Sequence, residues 1–213
     1  MTMQKKPLFS TQTIAVFLVF VCAAIMASLF VFHITHKTTA TELAEGNGTY
    51  FPVARDIKDF DLVTTDKQPF TQKNLFGHWT LLFFGFTHCP EFCPNTLTVL
   101  NKAYDTLHAA HPDMQVVFAT LDPESDTLAT LEKYTHTFNE QFIGVTGSIQ
   151  NIRKLQSQFG VYTMRDDTSQ NNQLQHTTSI FLINPTGKWT AIFKYGIKPT
   201  QLAQAVETSI NSN

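Results

Sequence analysis

An apolar run that ends in a cysteine pair limits this chain more than any other feature. Leu81-Leu82-Phe83-Phe84-Gly85-Phe86 is followed at once by Thr87-His88-Cys89-Pro90-Glu91-Phe92-Cys93-Pro94. An apolar side chain at nearly every position, without alternation, reads as a strand covered on both faces, the pattern of a parallel sheet. A helix that starts near Cys89 puts residues four apart on one face, so both sulfurs stand together at its N-terminus. Unpaired N–H groups and the helix dipole favour thiolate over thiol there. Two adjacent thiolates close a disulfide or grip a soft metal ion.

The rest of the chain must supply a fold that uses such a pair. Three cysteines occur in 213 residues, Cys22, Cys89 and Cys93, which excludes a disulfide-stapled scaffold. The chain is 43% hydrophobic with a formal net charge of -2. That is globular composition, and it gives no reason to expect nucleic acid as a partner. Residues 13–34 contain no Asp, Glu, Lys or Arg, and a membrane-spanning helix needs about 20 apolar residues. Lys5 and Lys6 precede the run in a head without acidic residues, so the positive-inside rule places residues 1–12 in the cytoplasm and the remainder outside. A cleaved signal peptide is the rival, but its apolar core is usually about 7–15 residues. The length favours a retained anchor that contacts the lipid bilayer through one helix. Cys22 lies within it as a small apolar filler. Residues 35–48, small, polar and aperiodic, read as a tether. Residues 49–213 are the size of one ordinary domain.

Within that domain, residues 60–64 and the stretch around Phe70 flank Asp66-Lys67-Gln68-Pro69 as a hairpin. Strands are expected at 80–86, 114–121, 142–145 and 178–183. Helical stripes run over 95–111 (Leu97, Leu100, Tyr104, Leu107), over 126–138 and over 148–159 (Ile149, Ile152, Leu155, Phe159). Asn184-Pro185-Thr186-Gly187 turns into a strand at 189–193, and Pro199 opens a last helix. A βαβ unit, then helix and short strand, helix, β-hairpin and helix, with cysteines where the first helix begins, is the thioredoxin-like arrangement. It is an α/β fold with a mixed central sheet and helices on both faces. In that fold the loop before the third main strand faces the cysteine helix. Here that loop ends in Gln175-His176-Thr177-Thr178, which brings His176 beside Cys89 and Cys93.

Two thiolates and one imidazole form a coherent ligand set. Cu(I) prefers sulfur and accepts imidazole, whereas zinc usually wants a fourth ligand or a water. A simple disulfide, or a histidine that only satisfies hydrogen bonds, is the plainer alternative for each part.

Residues 85–94, 121–127 (Leu-Asp-Pro-Glu-Ser-Asp-Thr), 142–147 (Phe-Ile-Gly-Val-Thr-Gly) and 176–187, from His176 to Gly187, together resemble the Sco/SenC family. These are membrane-anchored, thioredoxin-like proteins that handle copper for cytochrome c oxidase. The resemblance covers nearly all of the domain. It implies Cys89, Cys93 and His176 as copper ligands, for Cu(I) with Cu(II) left open. It also implies an upstream copper donor and the copper-bearing subunit of cytochrome c oxidase as partners. Gln175 stands where the family often has Asp, Leu128 where it often has Pro, and Glu91 for a frequent Asp. Those changes touch the tuning of affinity rather than the ligand set.

Asp122 and Asp126 have two readings each, outer support of the metal loop or local turn and helix cap. The cap is the expectation for Asp126. His78, His108, His111 and His136 read as surface residues, and His88 as turned away from the site or raising the local positive potential. Phe86 and Phe92 read as packing. Residues 165–175 read as a loop that carries His176 and gates the metal.

The leading expectation is therefore a copper chaperone, placed by its head in a bacterial inner membrane with the domain in the periplasm. A thiol–disulfide oxidoreductase that uses Cys89 and Cys93 as a redox pair is the alternative. It is weakened by the extra residue between the cysteines and by His176 at the place of a cis-proline. A thiol peroxidase with Cys89 as the reacting sulfur is third, since no Arg lies near Cys89 in sequence.

Overall fold

The structure, a computed structural model, describes residues 20–28, 48–165 and 174–212. The chain divides into Met1–Thr41 and Glu42–Asn213. In the first unit residues 20–28 are helical and exposed. The expected membrane span, residues 13–34, falls mostly outside the described residues, as do the head and nearly all of the tether. No helix among the described residues is long and apolar enough to cross a membrane.

In the second unit the strands are β1 (Gly48–Asp56), β2 (Asp61–Thr64), β3 (Pro69–Thr71), β4 (Thr80–Gly85), β5 (Gln115–Thr120), β6 (Ile143–Thr146), β7 (Thr163–Arg165), β8 (Leu174–His176), β9 (Ile180–Ile183) and β10 (Lys188–Phe193). The helices are α1 (Phe92–Ala110), α2 (Leu128–Phe138), α3 (Ile149–Gln158) and α4 (Pro199–Asn211). Eight strands form one sheet in the order β1-β10-β9-β4-β5-β6-β2-β3. β4, β5 and β6 are parallel neighbours, and β9 runs antiparallel to β4. This is the mixed sheet that the element order implied.

β4 is buried at every position because it serves two cores. Leu81 and Phe83 point into one, with Phe118, Leu97, Leu100, Leu107, Leu131, Leu202 and Val206. Leu82 and Phe84 point into the other, with Val117, Phe181, Ile152, Leu155, Phe159 and Trp189. Alternate side chains of a strand leave opposite faces, so an unbroken apolar run is what a central strand between two helical layers requires. At the β9–β10 turn the Asn184 side chain accepts from the N–H groups of Thr186 and Lys188. Gly187 sits there at φ +73°, and a Cβ on it would run into the ring of Phe76, so a side chain would meet both strain and a clash.

Several expectations need correction. α1 starts at Phe92 rather than Asn95, and Cys89 lies before it. α2 is capped by Thr127, whose side chain accepts from the Thr130 N–H; Asp126 does not cap it. β1 was not anticipated. It is an edge strand with mixed burial, and its pairing with β10 shifts register between Tyr50 and Arg55, so it carries no clean period-two signal. Residues 174–176, assigned above to a loop, form β8, which pairs antiparallel with β7. Three-residue strands give too short a pattern to read. Residues 166–173 of that expected gate lie outside the described residues. His111 is half-buried and pairs with Glu207 at 3.0 Å, which ties the end of α1 to α4. His108 is also half-buried, stacked on Tyr104.

Candidate metal centre

Three elements supply the three donors. β4 ends at Gly85, and the chain then turns over Phe86-Thr87-His88-Cys89, closed by the Cys89 N–H donating to the Phe86 carbonyl at 3.3 Å. Cys89 therefore sits on a turn in front of α1. Cys93 sits in the first turn of α1, and its backbone N–H donates to the Cys89 sulfur at 3.4 Å. Glu91 occupies the N-cap position without a side-chain cap bond. The Cys89 sulfur takes that part, accepting one of the N–H groups that a helix start leaves unpaired.

His176 arrives from β8, 83 positions along the chain from Cys93, with its Nε2 3.5 Å from the Cys93 sulfur. Its Nδ1 lies 2.8 Å from the Thr177 carbonyl. A carbonyl only accepts, so Nδ1 carries the proton and Nε2 turns its lone pair toward the sulfurs. A metal-binding imidazole needs this arrangement. Phe86 meets the ring edge-to-face with centroids 5.8 Å apart, so Phe86 does pack around the site. The two sulfurs and a nitrogen of the His176 ring all lie within 4.8 Å of one another. Both cysteines are free and buried.

The sulfurs share one proton unequally. The Cys93 S–H beside it, helped by the backbone N–H groups, lowers the Cys89 thiol to about 4. Donating to Cys89 and burial away from water push Cys93 up. The resting pair is one thiolate and one thiol. It offers two sulfurs and one oriented nitrogen, a soft, three-coordinate donor set. The residues present fit a cuprous ion on donor chemistry, spacing and ring orientation together.

Sequence reasoning placed these three residues together, and the structure does the same. It passed over Gly85. A Cβ there would lie 2.9 Å from the Cys93 sulfur and 2.7 Å from the Phe118 ring, so the missing side chain makes the room Cys93 occupies. A glycine inside an otherwise apolar strand is the signal that marks it. Asp122 is not among the clustered donors. Asp126 is buried, and its carboxylate accepts from the N–H of Thr87 at 3.3 and 3.2 Å and from the hydroxyls of Thr87 and Thr120, both at 2.5 Å. The His88 ring is largely exposed, with Nδ1 3.2 Å from the Thr87 hydroxyl. Gln175 is exposed and adjoins His176 on the strand, so it leaves the opposite face. Phe92 is exposed, with its ring against Tyr195 at 5.1 Å.

Residues 52–211 match the family model SCO1/SenC. The chain belongs to the SCO1/SenC family. Among curated members it is 30% identical to "Protein SCO2 homolog, mitochondrial" of Danio rerio over 75% of this chain and 59% of that protein. The chain thus spans less than two thirds of that relative's length. It is 33% identical to a "Putative copper-binding protein" of Stutzerimonas stutzeri, over 68% of this chain and 72% of that one. Among solved structures, Arabidopsis thaliana ScoI with copper bound is 31% identical, with a TM-score of 0.70. The likeness covers 73% of this chain and 98% of that one. The thioredoxin-like SCO1/SenC fold is thus shared across the domain that carries the cysteines and His176.

Proposed function

We propose that this SCO1/SenC protein is a copper chaperone. It holds Cu(I) as cargo between the sulfurs of Cys89 and Cys93 and the Nε2 of His176, and passes it on. The observation that carries this is the convergence of three soft or borderline donors within 4.8 Å, one of them an imidazole already turned by the Thr177 carbonyl. Two relatives named above point the same way: one is solved with copper and one is described as copper-binding. Cargo of this kind needs a site that can be opened. A three-coordinate set of two sulfurs and a nitrogen leaves an incoming thiolate room to displace one ligand at a time.

The charge-free run of residues 13–34 anchors the chain in a bacterial inner membrane, with residues 1–12 in the cytoplasm and the domain in the periplasm. The cargo comes from an upstream copper donor and goes to the copper-bearing subunit of cytochrome c oxidase. Titration of the full chain in detergent with Cu(I) against a chromophoric competitor tests the core of this. One Cu(I) per chain is expected, lost in Cys89→Ser and weakened at least tenfold in His176→Ala. Unchanged affinity in both variants overturns it.

A second reading rests on the unequal pair. The Cys89 thiolate is a nucleophile set beside a thiol, as in thiol–disulfide exchange. It would attack a partner disulfide and expel one thiolate. Cys93, giving up its proton, would then displace the second sulfur; the pair ends as a disulfide and the partner as a dithiol. Fast reduction of a protein disulfide by the metal-free chain, abolished in Cys89→Ser, would favour this role.

A further inference from the structure

The three donors are not held equally well. Cys93 is fixed by the first turn of α1 and His176 by the β7–β8 pair, but Cys89 rides on a turn outside any helix or strand. That turn is closed by one long bond, from the Cys89 N–H to the Phe86 carbonyl at 3.3 Å. Its second residue, Thr87, has two hydrogen atoms to donate, on N and on Oγ1, and both go to one carboxylate, that of Asp126.

Asp126 is itself tied down. Its second oxygen accepts from the hydroxyl of Thr120, the last residue of β5. Its backbone N–H donates to the Asp122 carbonyl at 2.9 Å. The carboxylate is 0% exposed, and among the described residues the basic group in ion-pair range is the exposed ring of His88 at 3.8 Å. A charge buried with no Lys or Arg against it is costly. Three donor groups offset that cost, and all come from residues at the ends of β4 and β5. No shorter or neutral side chain accepts from all of them. Asparagine turns an N–H₂ toward one of the donors.

The geometry points to Asp126 as the positioning residue of the metal centre: by clamping Thr87 to the end of β5, it sets the distance of the Cys89 sulfur from Cys93 and His176. Its effect reaches the site through two backbone residues, Thr87 and His88, without contact with the cargo. Without it, Cys89 is held only by the long Phe86–Cys89 bond and by the Cys93 N–H on its sulfur, and the pair loses its fixed separation. This deepens the copper reading, on which its affinity arm rests.

The test uses the full chain and two measurements. The first needs no metal: the Cys89–Cys93 disulfide is brought to equilibrium with glutathione buffers and read by alkylation and peptide mass. The second is Cu(I) affinity by competition. Asp126→Asn and Asp126→Ala are compared with Thr87→Val, which keeps the backbone N–H and loses the hydroxyl. The control is Thr135→Val, which removes a fully buried hydroxyl that bonds Leu131 within α2. The Asp126 variants are expected to disfavour the disulfide by about tenfold and to weaken Cu(I) by about tenfold or more, as loss of an outer support does. Thr87→Val shifts both the same way by less. Thr135→Val lowers thermal stability and leaves both constants in place. Disulfide and copper constants within twofold of wild type in folded Asp126→Asn overturn the inference, as does an equal shift in Thr135→Val. Should the Asp126 variants not fold, Thr87→Val decides alone, and constants within twofold of wild type there overturn it too. Should the wild-type chain fail to bind Cu(I), the copper reading falls while the disulfide measurement still judges Asp126.

Discussion

Replacing Cys93 by alanine asks whether the Cys89 thiolate is made by its neighbour or by the helix start. With the Cys93 thiol in place Cys89 is lowered to about 4, and that side chain is the largest of the causes. An ordinary thiol sits at about 8.5, so at pH 6 the thiolate fraction is about 99% for the wild type and about 0.3% for an unassisted cysteine, a ratio of about 300. The backbone N–H groups of residues 91 and 93 remain in Cys93→Ala, so its midpoint is expected between these limits and at least two pH units above the wild type. Ultraviolet thiolate absorbance of the metal-free chain, with Cys22→Ser in both backgrounds, reads this directly. Stability carries the same signature. Between about pH 4 and 8.5 the folded chain lacks a proton at Cys89 that the unfolded chain binds, so stability rises with pH by up to about 1.4 kcal/mol per unit. That contribution is complete above about 8.5 and gone below about 4. Cys93, pushed up, has the opposite sign: its share is complete below about 8.5 and declines as pH rises beyond it. The pair thus stabilises most near the ordinary thiol value, and Cys93→Ala flattens both limbs. A wild-type midpoint above 7, or a Cys93→Ala midpoint still near 4, refutes the shared proton.

Because Cys93 keeps its proton and Cys89 does not, Cu(I) binding at neutral pH is expected to release one proton. Calorimetry in buffers of different ionisation enthalpy checks this, and the affinity should weaken about tenfold per pH unit on acidification; release of two protons contradicts it. Gly85→Ala forces a Cβ between Phe118 and the Cys93 sulfur, at a cost of about 1–3 kcal/mol in urea unfolding together with weaker Cu(I) binding. Tyr50→Phe removes the 2.6 Å bond from the Tyr50 hydroxyl to the Ala205 carbonyl, which pins β1 to α4. About 0.5–1.5 kcal/mol of stability should be lost, with Cu(I) affinity unchanged.

The central strands and the helices were legible because their signals are local. Leu81 to Phe84 announce a doubly covered strand, and Ile149, Ile152 and Leu155 a one-sided helix, with no knowledge of their neighbours. β1 and β8 escaped because an edge strand and a three-residue strand are stabilised by what they pair with, β10 and β7. The cap at Thr127 was misplaced by one residue to Asp126. Both side chains suit a cap, and only the packed structure shows that the carboxylate is already engaged by Thr87 and Thr120.

By itself the chain determined which residues carry the chemistry: two cysteines at the exit of a buried strand, and a histidine that chain order returns to them. Tertiary packing decided the state in which they meet. It decided which sulfur keeps the proton, which imidazole nitrogen faces the pair, and what holds the Cys89 turn. Periodicity and spacing are properties of one segment. Proton sharing and ring orientation depend on contacts of 2.8 to 3.5 Å, among them one between Cys93 and His176 from distant segments, and only the folded core fixes those.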